Sequence, residues 1–233
     1  TGSVIQLNSN TLTVVGVAGG PYAITNAGAM IISDATTVVG AGTLEITGDQ
    51  VINIDGGEVP NVSIPSTLTT GGSFVLGGNL DVYGTLTLDA AIANALVDGG
   101  FAINMHGDFL RTDDTVPNSF AATGELAFLG AVDQTFDPGA SLQINDLTID
   151  NNNNTVTMLA SIEVLGDVDI TATGNLELDT YNIRILTSGT TFNNDGTYLS
   201  SATTGYVIFE SGGANTLQGA GKFSNIDVRK GSN

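Results

Sequence analysis

Along most of this chain the apolar residues come as short alternating pairs: Leu147/Ile149, Val156/Met158, Ile162/Val164, Val168/Ile170, Leu176/Leu178, Ile183/Ile185 and Val207/Phe209. A period of two puts both members of a pair on one side of an extended strand. Each pair is too short, and too closely followed by Gly, Asn, Asp or Thr, to be a helical turn. The pattern therefore predicts an all-β chain of strands about three to five residues long. The one stretch with a helical look is Ala90–Leu96, within DAAIANALVDGG.

Strands this short, punctuated this often, suit a β-solenoid in which each strand stacks on one in the next coil at roughly 4.8 Å. A row of Ig-like sandwiches is the alternative, because such domains also run to about 100 residues. Sandwich strands are longer, however, and the chain has no Trp and no Cys for a sandwich core.

The strand pattern also repeats at long range. Val82–Leu88 reads VYGTLTL and Val164–Ile170 reads VLGDVDI, 82 positions later. Gly42-Thr-Leu-Glu-Ile is echoed by Gly124-Glu-Leu-Ala-Phe and Gly205-Tyr-Val-Ile-Phe, at steps of 82 and 81. Gln50, Gln134 and Gln218 follow these anchors, and each precedes an Asn-led apolar pair beginning at Asn61, Asn145 and Asn225. Leu7 to Val14 parallels Leu178 to Ile185. Residues 1–233 thus read as one continuous array of repeats of about 80 residues, roughly three coils each, cut from a longer protein. Expected inward residues are Val82, Leu86, Leu88, Leu126, Phe128, Leu147, Ile149, Val164, Val168 and Ile170. Gly84, Gly124, Gly166 and Gly174 are the expected turn glycines.

Charge narrows the classes of function. Twenty-four acids against five Lys or Arg give a net charge of −19. Such a surface repels nucleic acid and anionic membranes, so neither is an expected partner. No apolar run reaches the roughly 20 residues of a membrane-spanning helix, and the opening TGSVIQLNSNTL has no basic region before an apolar one. The sequence reads as a mature chain or a fragment. The lack of Cys leaves the redox compartment open.

From Gly124 to Asp179 the motifs GELAFLG, QTF, NDLTIDN, VLGDVDIT and GNLELD follow in order. In this combination the chain resembles the repeat regions of very large cell-surface proteins of Bacteroidota, many exported by the type IX system and some of them adhesins of gliding cells. The resemblance implies an extracellular or cell-surface location in a bacterium. Within it, Asp114-Thr115-Val116 matches the O-glycosylation pattern of that phylum.

Because β-helices often carry polysaccharide lyases and hydrolases, catalytic groups need weighing. The densest titratable group is His106-Gly-Asp108 with Arg111-Thr-Asp113-Asp114, which holds the sole His. A hydrolase needs two positioned carboxyls and a lyase a base. Asp113 and Asp114 are the pair whose replacement would remove glycan cleavage, while Pro117 and Asn118 fit a solvated surface loop instead. A P-loop, a nucleophile elbow and zinc-spaced ligands are absent from the sequence.

Structural calcium is the one cofactor the acids suit. Asp167 and Asp169 flank inward Val168, with Asp179 following and Glu163 and Glu177 nearby, so stacked coils could bring carboxylates together around a hard cation. No EF-hand loop or tandem nonapeptide supports it, and solvated charge that blocks edge aggregation explains the same acids. Asn151–Asn154 reads as a solvated turn. The threonines at 69–70 and 203–204 form no regular rows of the kind an ice-binding face needs.

The expected function is a non-catalytic stalk segment of an extracellular filament or adhesin, whose partners are neighbouring repeats or identical chains end to end, and surface glycans or other cells. A self-assembling filament subunit and a carbohydrate-binding or polysaccharide-degrading β-helix are the alternatives.

Overall fold

The computed structural model describes the backbone of residues 11–16 and 22–24, and residues 42–49, 51–54, 56–113, 115–116, 119–140, 142–200 and 204–229 in full. Within them lie 27 strands. Every ladder between strands is parallel. Parallel stacking rules out the sandwich, whose sheets are antiparallel. The chain is a three-sided β-solenoid.

Its sides are one nine-stranded sheet, here the long face, one eight-stranded sheet, the second face, and a split face made of two five-stranded sheets. One coil shows the circuit: Asn61–Ile64 on the long face, Ser73–Leu76 on the split face, Leu80–Val82 on the second face, then Leu86–Leu88 back on the long face. Successive coils differ in length. Thr43 stacks on Asn61, 18 positions on, and Phe109 on Phe136, 27 positions on.

Alternation builds the core. Leu80, Ile103, Leu126, Leu147 and Val168 form one inward column of the second face, and Val82, Met105, Phe128, Ile149 and Ile170 the next. All ten are at most 1% exposed. Leu86, Leu88 and Val164 are also buried. Each such side chain contributes roughly 1.5–3 kcal/mol by leaving water. Aromatics fill the middle of the stack, with Phe136 5.6 Å from Phe109 and 5.0 Å from Phe128 between ring centroids.

The sequence echo and the structural stack are different things. The strands that begin at Thr43, Glu125 and Val207 are the third, fourteenth and twenty-fifth in chain order, eleven apart. Eleven steps on a three-sided coil make three coils and two thirds. Accordingly Thr43–Gly48 lies on the long face, Glu125–Phe128 on the second and Val207–Phe209 on the split face. What recurs is a corner-plus-strand unit, and each recurrence falls on another side of the rod. Its residues do different jobs there: Gln134 is buried, whereas Gln218 is exposed.

No helix forms among the described residues. Ala90–Leu96 is instead a corner leading into the strand Leu96–Val97. Asn94 there has φ +57°, which no continuing right-handed helix tolerates. The carbonyl of Ala95 accepts from Phe74 N at 2.8 Å and Leu96 N donates to Ser119 O at 2.9 Å, so stacking overrides local helix propensity.

The split face breaks between Phe120–Ala121, last of the first sheet, and Leu142–Ile144, first of the second. Arg111, only 1% exposed, reaches into this break from the long face. Its guanidinium donates to Ser119 Oγ (2.9 Å) and Val116 O (2.6 Å) on one side, and to Pro138 O (3.1 Å) and Ala140 O (2.8 Å) on the other. A rigid fork of five donors suits carbonyls that a strand ladder has left over.

Candidate functional site

The described members of the dense group around Arg111 have separate partners. Arg111 is buried and engaged by the carbonyls just named. His106 Nε2 is 3.4 Å from Asp81 Oδ1, and its ring stacks on Tyr83 at 4.3 Å and 5°. Asp81 also accepts from Asn104 Nδ2 at 3.1 Å. Burial, and next the charges of Glu58 and Asp81, push the Tyr83 phenol up. Asp108 accepts from Thr135 N at 2.7 Å, one coil on. Asp113 accepts the hydroxyl (2.5 Å) and amide (2.8 Å) of Thr115, which hold its carboxyl below the usual range. Asp114 lies outside the described residues, as do residues 1–10, Gln50, Pro117, Asn118 and Thr203.

The three calcium candidates are placed apart in role. Asp167 and Asp169 stand on either side of buried Val168, as alternation requires. Asp167 accepts from Thr191 N at 2.7 Å. Asp169 lies between Thr148 and Asn193 in its outward column and accepts from Asn193 Nδ2 at 2.8 Å. Asp179 sits at the corner after the strand Asn175–Glu177, in the left-handed region at φ +47°. Among the described residues, no group of three or more His, Asp or Glu side chains is placed to hold a metal ion.

What sequence reading missed is the work the corner acids do. Asp98, 1% exposed, accepts from the backbone N–H groups of Gly100 (3.0 Å), Thr123 (2.9 Å) and Gly124 (3.1 Å). Asp133 accepts from Thr155 N, Asp146 from Asp167 N, and Asp195 from Ala220 N, at 2.7 to 2.9 Å. Asn61, Asn79 and Asn182 do the same for Thr85, Ala102 and Tyr206. Each of these side chains caps an amide that the turn leaves without a ladder partner, and apart from the Gly100 contact each reaches into the following coil. Much of the negative charge is therefore structural rather than merely solvating. Asn151 is likewise fully buried, not solvated, and accepts from Asn175 N at 3.0 Å. The signal in the sequence is an Asp or Asn about 20 to 27 residues before the amide it caps, a spacing unreadable until the coil length is known.

The turn glycines have a similar cause. At Gly84 and Gly166 a Cβ would collide with the capping side chains of Asn61 and Asp146, and at Gly124 and Gly174 with the carbonyls of Phe101 and Ile149. None of these four has positive φ. Close approach of one coil to the next, not left-handed backbone, excludes a side chain there.

Two outward features remain. On the second sheet of the split face, Gln143, Glu163, Arg184, Glu210, Arg229 and Asp227 form a chain of contacts. Arg184 holds Glu163 and also Glu210 (3.1 Å through Nε), and Arg229 holds Glu210 (3.1 Å) and Asp227 (2.7 Å). At the last described coil, Phe209, Leu217, Ile226 and Val228 border an apolar groove of about 420 Å³.

The arrangement binds coil to coil through side chains that accept from amides of the adjoining coil. Compared with models of known families, with curated proteins and with solved structures, the chain matches none.

Proposed function

We propose that this chain is a non-catalytic structural segment of an extracellular filament or adhesin stalk on a bacterial surface. The observation that carries the reading is the fate of the polar side chains. Carboxylates and amides at the corners are taken up by amides of the adjoining coil, and the apolar ones form continuous columns. A rod built so extends by adding coils, because each coil contacts only its neighbours. The resemblance of Gly124–Asp179 to surface-protein repeats supports the extracellular setting.

Electron microscopy of the source cells with gold-labelled antibody against this segment tests it. Label along thin surface fibres is the expected result. Label that is diffuse in the medium, without fibres, would overturn the filament reading and favour a secreted β-helix acting on glycans.

A second reading is a subunit that stacks end to end with copies of itself. It is favoured by the parallel ladders, since a strand in parallel register can receive another copy's strand as it receives that of the next coil. The mass of the native polypeptide separates the two. A subunit would be near 23.7 kDa, and a stalk protein much larger.

A further inference from the structure

One level of the rod is joined unevenly on its three sides. It lies where the coil of Phe109–Arg111, Phe120–Ala121 and Glu125–Phe128 meets the next. There the second face keeps a ladder of four pairs, from Glu125 on Asp146 to Phe128 on Ile149. The long face keeps two, Phe109 on Phe136 and Leu110 on Asp137, although the ladders before and after it have three. On the split face no ladder joins Phe120–Ala121 to Leu142–Ile144. Side chains sharpen the difference. At the corner between the second and long faces, buried Gln134 donates through Nε2 to Met105 O (3.0 Å) and Gly107 O (2.7 Å), and accepts from Gly130 N (3.0 Å). Across the break it is the Arg111 guanidinium that spans, holding Ser119 and Val116 on one lip and Pro138 and Ala140 on the other.

We propose that this level is a one-way hinge: the rod bends about the second face by parting the two lips of the split face, and Arg111 is the latch that holds them shut. Between other coils, opening one side of the rod breaks a backbone ladder, and its paired N–H and C=O groups go unmet together. Here, among the described residues, the split face can open with every backbone pair kept. The latch is a single side chain, so a change of rotamer releases all its bonds at once. Water entering the parted seam then meets the freed carbonyls and the guanidinium, which lowers the cost of the open form. The direction of bending follows from the same asymmetry, because the four-pair ladder and Gln134 keep the opposite side closed. The inference goes beyond the stalk reading and holds equally for a subunit. For either rod it lets a sideways load be taken up at one level without loss of the stack.

The absence of native cysteine lets spin labels go only where they are placed. Val75→Cys with Glu163→Cys spans the break on the split face, and Asp81→Cys with Asp169→Cys spans the same level on the second face. Each pair lies roughly 19 Å apart along the rod at ~4.8 Å per coil. Pulsed electron resonance should give the split-face pair a distance distribution reaching about 3 Å further than that of the second-face pair. An opening of about 15° across a ~10 Å core produces that much. Arg111→Met should extend the split-face distribution further and leave the second-face one unchanged. Ser119→Ala, which removes one of the four bonds, should extend it by less. Equal widths on the two faces with Arg111 in place would overturn the hinge, and this comparison decides even if Arg111→Met does not fold. Broadening of both faces alike in Arg111→Met would overturn it too, since general loosening of the stack has no preferred side.

Discussion

The two halves of the split face carry the same inside and opposite outsides. Inward, Phe74, Leu96 and Phe120 in the first sheet correspond to Ile162, Ile183 and Val207 in the second, all 3% exposed or less. Outward, the first sheet presents Val75, Val97 and Ala121, and the second presents Glu163 and Arg184, tied onward to Glu210 and Arg229. Stacking dictates the inner columns because no coil can bury its apolar side alone. It leaves the outer ones free, so one half became a strip without charge and the other a chain of ion pairs. Arg111 stands where they meet, and its buried guanidinium stitches two sheets that no ladder joins.

The likeness of the insides is broken most severely by a buried charge. Phe74→Asp and Ile183→Asp should each destabilise by roughly 4 kcal/mol or more, enough to lose the cooperative melt by circular dichroism, and Val168→Asp on the second face should do the same. A mild effect in one half only would mean that its inward column is not load-carrying. Next in size is the junction. Arg111→Met should cost about 3 kcal/mol, because the hydroxyl of buried Ser119 and the carbonyls of Val116, Pro138 and Ala140 all lose their donor. Hydrogen exchange should then show residues 96–121 and 142–185 opening with different free energies, where the unaltered chain opens them together. Asp98→Ala, which strips the acceptor from three amides, should cost about 1–3 kcal/mol by thermal melting.

Acid should act unevenly. The hydroxyls of Thr171 and then Thr173 hold the Asp150 carboxyl below its usual range, and the amide of Ala220 and then Asn193 do so for Asp195. A carboxyl depressed on folding contributes stability above its unfolded value, near 3.9, and loses it as pH falls through the lower folded value. Exchange protection of the Ala220 amide, which donates to Asp195, should therefore fade below about pH 4, before that of the strand Ser73–Leu76. Smallest of all is the outer surface. Arg184→Gln should cost under about 1 kcal/mol, and less in high salt, because the guanidinium is 40% exposed.

The strands and the inward residues were legible because alternation is a local property. Val82, Ile149 and Val168 declare their side from two neighbours each. The stacking register was not legible, since the 82-residue echo is strong while the coils it spans vary from 18 to 27 residues. The roles of Asp98, Asp133 and Asp195 depend on that register, so they read as surface charge. Arg111 read as a candidate catalytic group because sequence shows its acidic neighbours, not the break in the sheet that buries it. The Ala90–Leu96 corner misled through propensity, which Asn94 and the bonds to adjacent coils override.

The claim that the polar groups serve to hold coil to coil is tested most directly by pulling the chain along its axis in a single-molecule force experiment. Resistance should come in successive small releases, each of roughly 60–90 Å at ~3.5 Å per residue for one coil. The first release should come at the Arg111 junction, and at lower force in Arg111→Met. Extension with no more resistance than an unfolded chain, or one all-or-none rupture unaffected by Arg111→Met, would contradict it.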